Sequence, residues 1–354
     1  MEIEHAPRRL IVHVPDGFFN LAVSVSAGVV AAAGVAYCLR GARRELDDRT
    51  APVAGLVAAF VFAVQMLNFP VAAGTSGHLL GGALAAVLAG PATAVLCLTV
   101  VLAVQAFFFA DGGLTALGVN ITLMGIVTVL VGWGVFKLVT GVLPRRPGSV
   151  VAGAFLAALL SVPASALVFT LMFWIGGNAP IEVTSVAVAM GGVHVLIGLG
   201  EGLITAVTVS SVLAVRPDLV YAARSLTAPL TLKTAGGEVT APAPAPERAP
   251  ARPGRFVLGG IAVTALLAGV LSFFASASPD GLERVAEDTG FGVVAVDHAL
   301  AGQPLADYGD AGGVPVGVAG VIGVAVTLGV GGGLFLAVGR GQAGKRAASK
   351  TERG

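Results

Sequence analysis

Long apolar runs broken by short polar stretches dominate the chain. The runs fall roughly over residues 18–39, 52–69, 78–89, 92–110, 117–139, 150–174 and 186–215, and two more follow at 256–275 and 314–338. An upright membrane helix needs about 20 apolar residues. Eight of the nine runs come close to that length or exceed it. The third has only about a dozen residues before Gly90-Pro91 breaks it, which suits a half-buried or broken helix. The pattern predicts an all-α polytopic membrane bundle. About seven core transmembrane helices come first, and two more flank a small extracytoplasmic domain.

Composition agrees with this reading. The 354 residues are 56% hydrophobic and 12% charged, with 50 glycines, and the mean hydropathy is +0.90. A soluble domain carries about 25% charged residues. Abundant glycine suits close helix packing in lipid, where small residues let backbones approach. The net charge of +1 and the lack of basic stretches interleaved with aromatics give no reason to expect nucleic acid. Cys38 and Cys97 lie in apolar runs, match no zinc spacing and read as buried. No cleavable signal peptide is evident.

Charge sets the expected topology. With the first polar turn outside and nine crossings, all of the 21 Lys and Arg fall inside except Arg8, Arg9 and Arg284. Cationic loops favour the cytoplasmic side. This count makes the short third run a true crossing. It places the N-terminus outside and the C-terminus in the cytoplasm of a multi-pass cell-membrane protein. His13, His78, Asp111, Asn120 and Glu182 then share the outer face.

Four places carry candidate chemistry. VHVPDGFFN, beginning at Val12, puts His13 in a turn ahead of Pro15; the imidazole suits a metal ligand or a solvated surface residue. GTSGHLLGG surrounds His78 with glycines, which suits a metal ligand or a tight helix contact carrying an incidental histidine. His194 and Glu201 lie seven residues apart on one helical face. An intramembrane carboxylate is functional by default, or else a packing hydrogen bond to Gln65, Asn68 or Gln105. The acidic segment after residue 275, with SPDGLERVAED and His298, reads as a small solvated domain or a weak cation-attracting antechamber. GRGQAGKR near the C-terminus imitates a P-loop. Arg346 stands where Ser or Thr must hold Mg²⁺ and no strand precedes it, so no ATP site is expected on this chain. The Ala-Pro-rich stretch APAPAPERAPARPGR is an extended linker.

The stretches VHVPDGFFN, FVFAVQMLNFPVAAGTSGHLLGG, QAFFFADGGLTALGVN and HVLIGLGEGLIT resemble the CbiM/NikM family, the substrate-specific components of energy-coupling-factor transporters for cobalt and nickel. SPDGLERVAED and PLADYG resemble the PDGLE domain related to CbiN/NikN. The resemblance implies 12–224 as the membrane domain, 225–254 as a cytoplasmic linker, 255–340 as the PDGLE domain with two transmembrane helices, and 341–354 as a basic cytoplasmic tail. It implies no enzyme. The expected function is ATP-driven uptake of Co²⁺ or Ni²⁺ as transported substrate, with a lean to cobalt and cobalamin supply. Expected partners are a CbiQ/NikQ-like coupling subunit, a CbiO/NikO-like ATPase subunit and membrane lipid. The family's site uses the chain's free amine, the amide and imidazole of a second-position histidine, and a histidine in GTSGHLLGG. These map to Val12, His13 and His78, with Asn68, Ser76 and Gln105 as candidates to orient an imidazole. His13 is not second here. The expectation is that residues 1–11 are a non-family extension and that the working chain starts at Val12, through an alternative start codon or proteolysis. Two alternatives stay open: an intramembrane metalloenzyme built on His194 and Glu201, and a transporter working without ATPases.

Overall fold

The computed structural model describes residues 13–47, 50–72, 74–226, 230–234, 237–241, 253–306, 308 and 313–351. Among them the structure is a bundle of membrane-length helices. Helix α1 (Leu21–Glu45) starts where Asn20 accepts the Val23 amide at 3.0 Å. Helix α2 (Ala51–Gln65) follows a reciprocal cap in which Asp47 and Thr50 exchange backbone and side-chain hydrogen bonds of 2.8 Å. A small antiparallel hairpin, β1 (Phe69–Ala72) and β2 (Thr75–Gly77), then leads into helices α3 (Gly82–Ala89) and α4 (Pro91–Phe108). Helix α5 (Leu117–Val142) is π-helical over Ile121–Val127. Helices α6 (Pro147–Gly176) and α7 (Val183–Val215) pack side by side.

A second hairpin, β3 (Leu230–Thr234) and β4 (Gly237–Ala241), falls within the predicted linker. The Ala-Pro repeat itself lies outside the described residues. Helix α8 (Pro253–Gly269), the short helix α9 (Gly281–Thr289) and helix α10 (Val316–Thr351) complete the fold.

Among the described residues, seven helical spans are long and apolar enough to cross a membrane. They are not the seven core crossings of the sequence pattern. Two core helices, α2 and α3, are shorter, and two of the long spans belong to α8 and α10. Helix α10 packs along α2, where a Cβ on Gly55 would lie 2.9 Å from the Gly332 Cα. The C-terminal helices are thus part of the same packed body.

The third run is helical only over Gly82–Ala89. Eight helical residues rise only about 12 Å, and residues 78–81 supply the rest in non-helical form. At its far end Gly90 turns with φ +100°, and a Cβ there would strike the Glu45 carboxylate at 2.7 Å. Glu45 accepts the amides of Ala92 (3.1 Å) and Thr93 (2.7 Å) and so caps α4. His78 and Gly90 therefore lie at opposite ends of the bundle, at the levels of His13 and Glu45 respectively.

Candidate metal centre

His13 is only 2% exposed, held by a stretch of extended chain. Asn120, on α5, clamps its neighbour: the Val14 amide donates to Oδ1 at 3.1 Å and Nδ2 donates to the Val14 carbonyl at 3.0 Å. Asp16 caps α5, accepting the amides of Leu114 (3.1 Å) and Thr115 (2.8 Å) and the Thr115 hydroxyl (2.6 Å). The glycines of ADGGL make the approach possible. A Cβ on Gly112, whose φ is +82°, would lie 2.9 Å from the His13 Cβ; one on Gly113 would lie 2.3 Å from the Asp16 nitrogen.

His78 follows β2 in a turn, not on a helix. The His13 and His78 rings meet edge to face, with centroids 5.3 Å apart. The segment after His78 carries backbone groups through the bundle without a helix to pair them, and such groups need partners at membrane depth. Glu201 supplies two: Oε2 accepts the Leu80 amide at 2.7 Å and Oε1 the Gly81 amide at 3.1 Å. Gln65 supplies a third, donating to the Leu80 carbonyl at 3.1 Å, and is itself bonded by Gln105 at 2.9 Å. Glu201, fully buried, is thus paired with main-chain amides and not with the Gln65, Asn68 or Gln105 side chains the sequence offered. It positions the loop that carries His78.

The acidic segment is a lid over this site. Its loop lies directly on β2: the Ser76 amide donates to the Pro279 carbonyl at 2.8 Å and its hydroxyl to the Ser278 carbonyl at 2.7 Å. The Ser276 amide donates to the Asn68 carbonyl at 2.7 Å. Asp280 caps α9 by accepting the Glu283 amide at 2.8 Å, and its other oxygen lies 3.5 Å from His78 Nε2. The expected solvated domain is therefore docked, with Val285, Ala286 and Phe291 buried. Phe291 packs against Phe18, Phe169 and Phe173, with the Phe18 centroid at 5.2 Å.

Between the lid and the core lies a cavity of about 60 Å³ lined by His13, His78, Asn120, His194 and Asp280. His194 closes its wall and bonds the Met190 carbonyl through Nδ1 at 2.8 Å. His13 Nδ1 lies 3.0 Å from Asp111 Oδ1, off the line a hydrogen bond requires, and Nε2 has no partner. Burial favours the neutral Asp111 carboxyl, but the neighbouring His13 and His78 imidazoles hold it below its ordinary value. Among the described residues no three His, Cys, Asp or Glu side chains gather as a metal cluster. Two imidazoles converge, with the Asp111 and Asp280 carboxylates beside them. Val12 and the residues before it lie outside the described residues.

A profile of the cobalt uptake substrate-specific transmembrane region matches residues 13–219, more than half the chain. The chain belongs to this family. A PDGLE domain matches residues 254–340, which makes the lid part of a fused second module. The chain is similar to a cobalt transport protein CbiM of Sorangium cellulosum, with 37% identity covering 59% of this chain and 94% of that one. It is also similar to a fused nickel transport protein NikMN of Rhodobacter capsulatus, at 35% identity over 62% of this chain and 66% of that one. Among solved structures it resembles a truncated transition metal transporter (26% identity, TM-score 0.51), covering 57% of this chain and 98% of that one. CbiM-family membership makes this a non-enzymatic metal transport component.

Sequence reasoning named His13, His78 and Gln65, but not that Gln65 bonds the Leu80 carbonyl or that Asp280 approaches His78. In the structure Asp280 caps α9. Nothing local signalled that the same carboxylate reaches a histidine 202 residues earlier.

Proposed function

We propose that this chain captures Co²⁺ or Ni²⁺ at the outer end of the bundle, with His13 and His78 as ligands. The observation that carries this reading is the pair of buried imidazoles, with both His13 ring nitrogens lacking hydrogen-bond partners, in a chain of the cobalt-uptake family. Imidazole and deprotonated backbone nitrogens suit a planar N₄ set, a geometry that Ni²⁺ adopts. A chelate that uses the His13 amide can reach only the Nδ1 of the same residue. That nitrogen faces Asp111, so loading exchanges the Asp111 contact for the ion. A free amine at Val12 would complete the set. The roles of Asn68, Ser76 and Gln105 on this reading are to hold the surrounding loops, not to touch the ion.

The N-terminal end then faces outward and the basic C-terminus lies in the cytoplasm, a reading that the distribution of Lys and Arg supports. A separate membrane coupling subunit and cytosolic ATPases supply the energy for inward delivery. The PDGLE loop covers the captured ion and must open for loading. Cobalt and nickel relatives are similar to this chain at nearly equal identity, so uptake of both ions is the assay that assigns the metal.

Replacing His13 or His78 by Ala is expected to abolish high-affinity Co²⁺ and Ni²⁺ binding, read by equilibrium dialysis of the purified chain. Retention of wild-type affinity in either variant would overturn the site. N-terminal sequencing of natively expressed protein tests the amine: a chain that begins at Met1 and still binds metal removes Val12 from it.

A further inference from the structure

Beside the imidazole pair lies a second cavity, of about 200 Å³, lined by Gln65, Asn68, Gln105, Asp111 and Tyr308. It has two unsatisfied acceptors. Asn68 Oδ1 and Gln105 Oε1 are buried with no hydrogen-bond partner, in residues only 7% and 4% exposed. A buried carbonyl left without a donor costs about 1–3 kcal/mol, so a donor is expected to occupy this space. Asp111 contributes a carboxylate to the same wall, and its Oδ1 is the atom that faces His13.

The cavity continues into a larger one of about 490 Å³ between the core and the PDGLE domain. The two share Phe109, Asp111, Ala277 and Tyr308. The larger cavity is lined by Asp16, Asp111, Glu283, Glu287 and Asp297, a field that concentrates cations. Liquid water occupies about 30 Å³ per molecule, so the inner cavity has room for about six. That is the hydration shell of an octahedral divalent cation, whose waters are all hydrogen-bond donors toward the wall.

We propose that the amide-lined cavity is a second cation site, which holds a hydrated divalent ion through its waters before transfer past Asp111 to His13. Amide and carboxylate oxygens suit a hard, still hydrated ion, whereas the imidazole site strips it. This site rests on the capture of a divalent metal at His13 and His78 proposed above, but it is read separately.

Mn²⁺ is the probe, because it favours oxygen over nitrogen donors and ranks below Ni²⁺ at nitrogen sites. The full chain is loaded with one equivalent of Ni²⁺, followed by its absorbance, and titrated with Mn²⁺ while the spin-resonance signal of free Mn²⁺ is recorded. The wild type is expected to bind one weaker Mn²⁺, and Asn68→Leu/Gln105→Met to lose it by at least tenfold. Asn68→Asp, which adds a charged oxygen, is expected to tighten Mn²⁺ by at least tenfold and decides the matter if the double variant does not fold. Equal Mn²⁺ binding by wild type and the folded double variant, or no tightening by Asn68→Asp, would overturn the proposal. Loss of Ni²⁺ capture with Mn²⁺ binding intact instead overturns the imidazole site and leaves this one standing.

Discussion

At the residue scale the instructive side chain is Glu201. Its carboxylate lies deep in the bundle and holds two main-chain amides of a non-helical crossing segment. A buried main-chain amide left without its acceptor costs about 1–3 kcal/mol. Glu201→Gln turns an amide donor toward one of those amides and leaves it unpaired. The variant is expected to lose about 1–3 kcal/mol of stability and to hold Co²⁺ or Ni²⁺ more weakly, because the loop bearing His78 loosens. Thermal unfolding and equilibrium dialysis measure the two effects. An unchanged unfolding midpoint would show that other partners hold the loop. The same residue in an enzyme would leave binding intact and remove turnover, so the two readings separate cleanly.

At the element scale the decisive contacts are between backbones. Gly118, at the start of α5, faces Gly28 of α1, and a Cβ on Gly118 would lie 2.4 Å from the Gly28 Cα. Neither partner can rotate away, since both atoms that meet are fixed by their helices. Gly118→Ala is expected to force α1 from α5 and to cost about 1–3 kcal/mol, as overpacking does. The effect reaches the site because Asn120 and the Asp16-capped turn, which hold the His13 segment, belong to the same end of α5. A lowered unfolding midpoint with reduced metal affinity is the expected result; a neutral Gly118→Ala would mean the helices can separate without strain. The π-helical stretch Ile121–Val127 follows directly on Asn120, and such bulges are frequent at functional sites.

At the scale of the whole molecule, the PDGLE module and the core form one closed body around the imidazoles. Phe291 anchors the lid in an aromatic pocket of the core, and the Val296 amide donates to the Asp16 carbonyl at 2.8 Å. Phe291→Ala is expected to remove about 3–5 kcal/mol of packing. The loss falls on docking of the lid and not on the core helices. Hydrogen exchange should rise over Gly281–Thr289 and residues 76–80 while α3 and α4 stay protected, and bound metal should leave faster. Uniform protection across the lid in this variant would show that Phe291 is not its anchor.

Much of this was legible in the sequence because its causes are local. Apolar run length, the placement of Lys and Arg, and the breaks at Gly and Pro predict a polytopic helical bundle. The histidines in VHVPDGFFN and GTSGHLLGG stand out because few other titratable groups lie near them. The tertiary structure decided what depends on distance along the chain. The short third run reads as a half-buried or broken helix, but only the structure shows where it breaks: the residues after His78 are non-helical, with Glu201 and Gln65 satisfying their backbone. The acidic segment reads as solvated because seven carboxylates crowd it, Asp280, Glu283, Glu287, Asp288, Asp297, Asp307 and Asp310. Leu282, Val285 and Phe291 are buried in one cluster with Phe18, Phe169 and Phe173, and only the folded core offers that aromatic surface. The convergence of His13, His78, Asp111 and Asp280 has no sequence signature, because these residues belong to four separate loops. The close contacts and buried hydrogen bonds that bring them together exist only once the helices have packed.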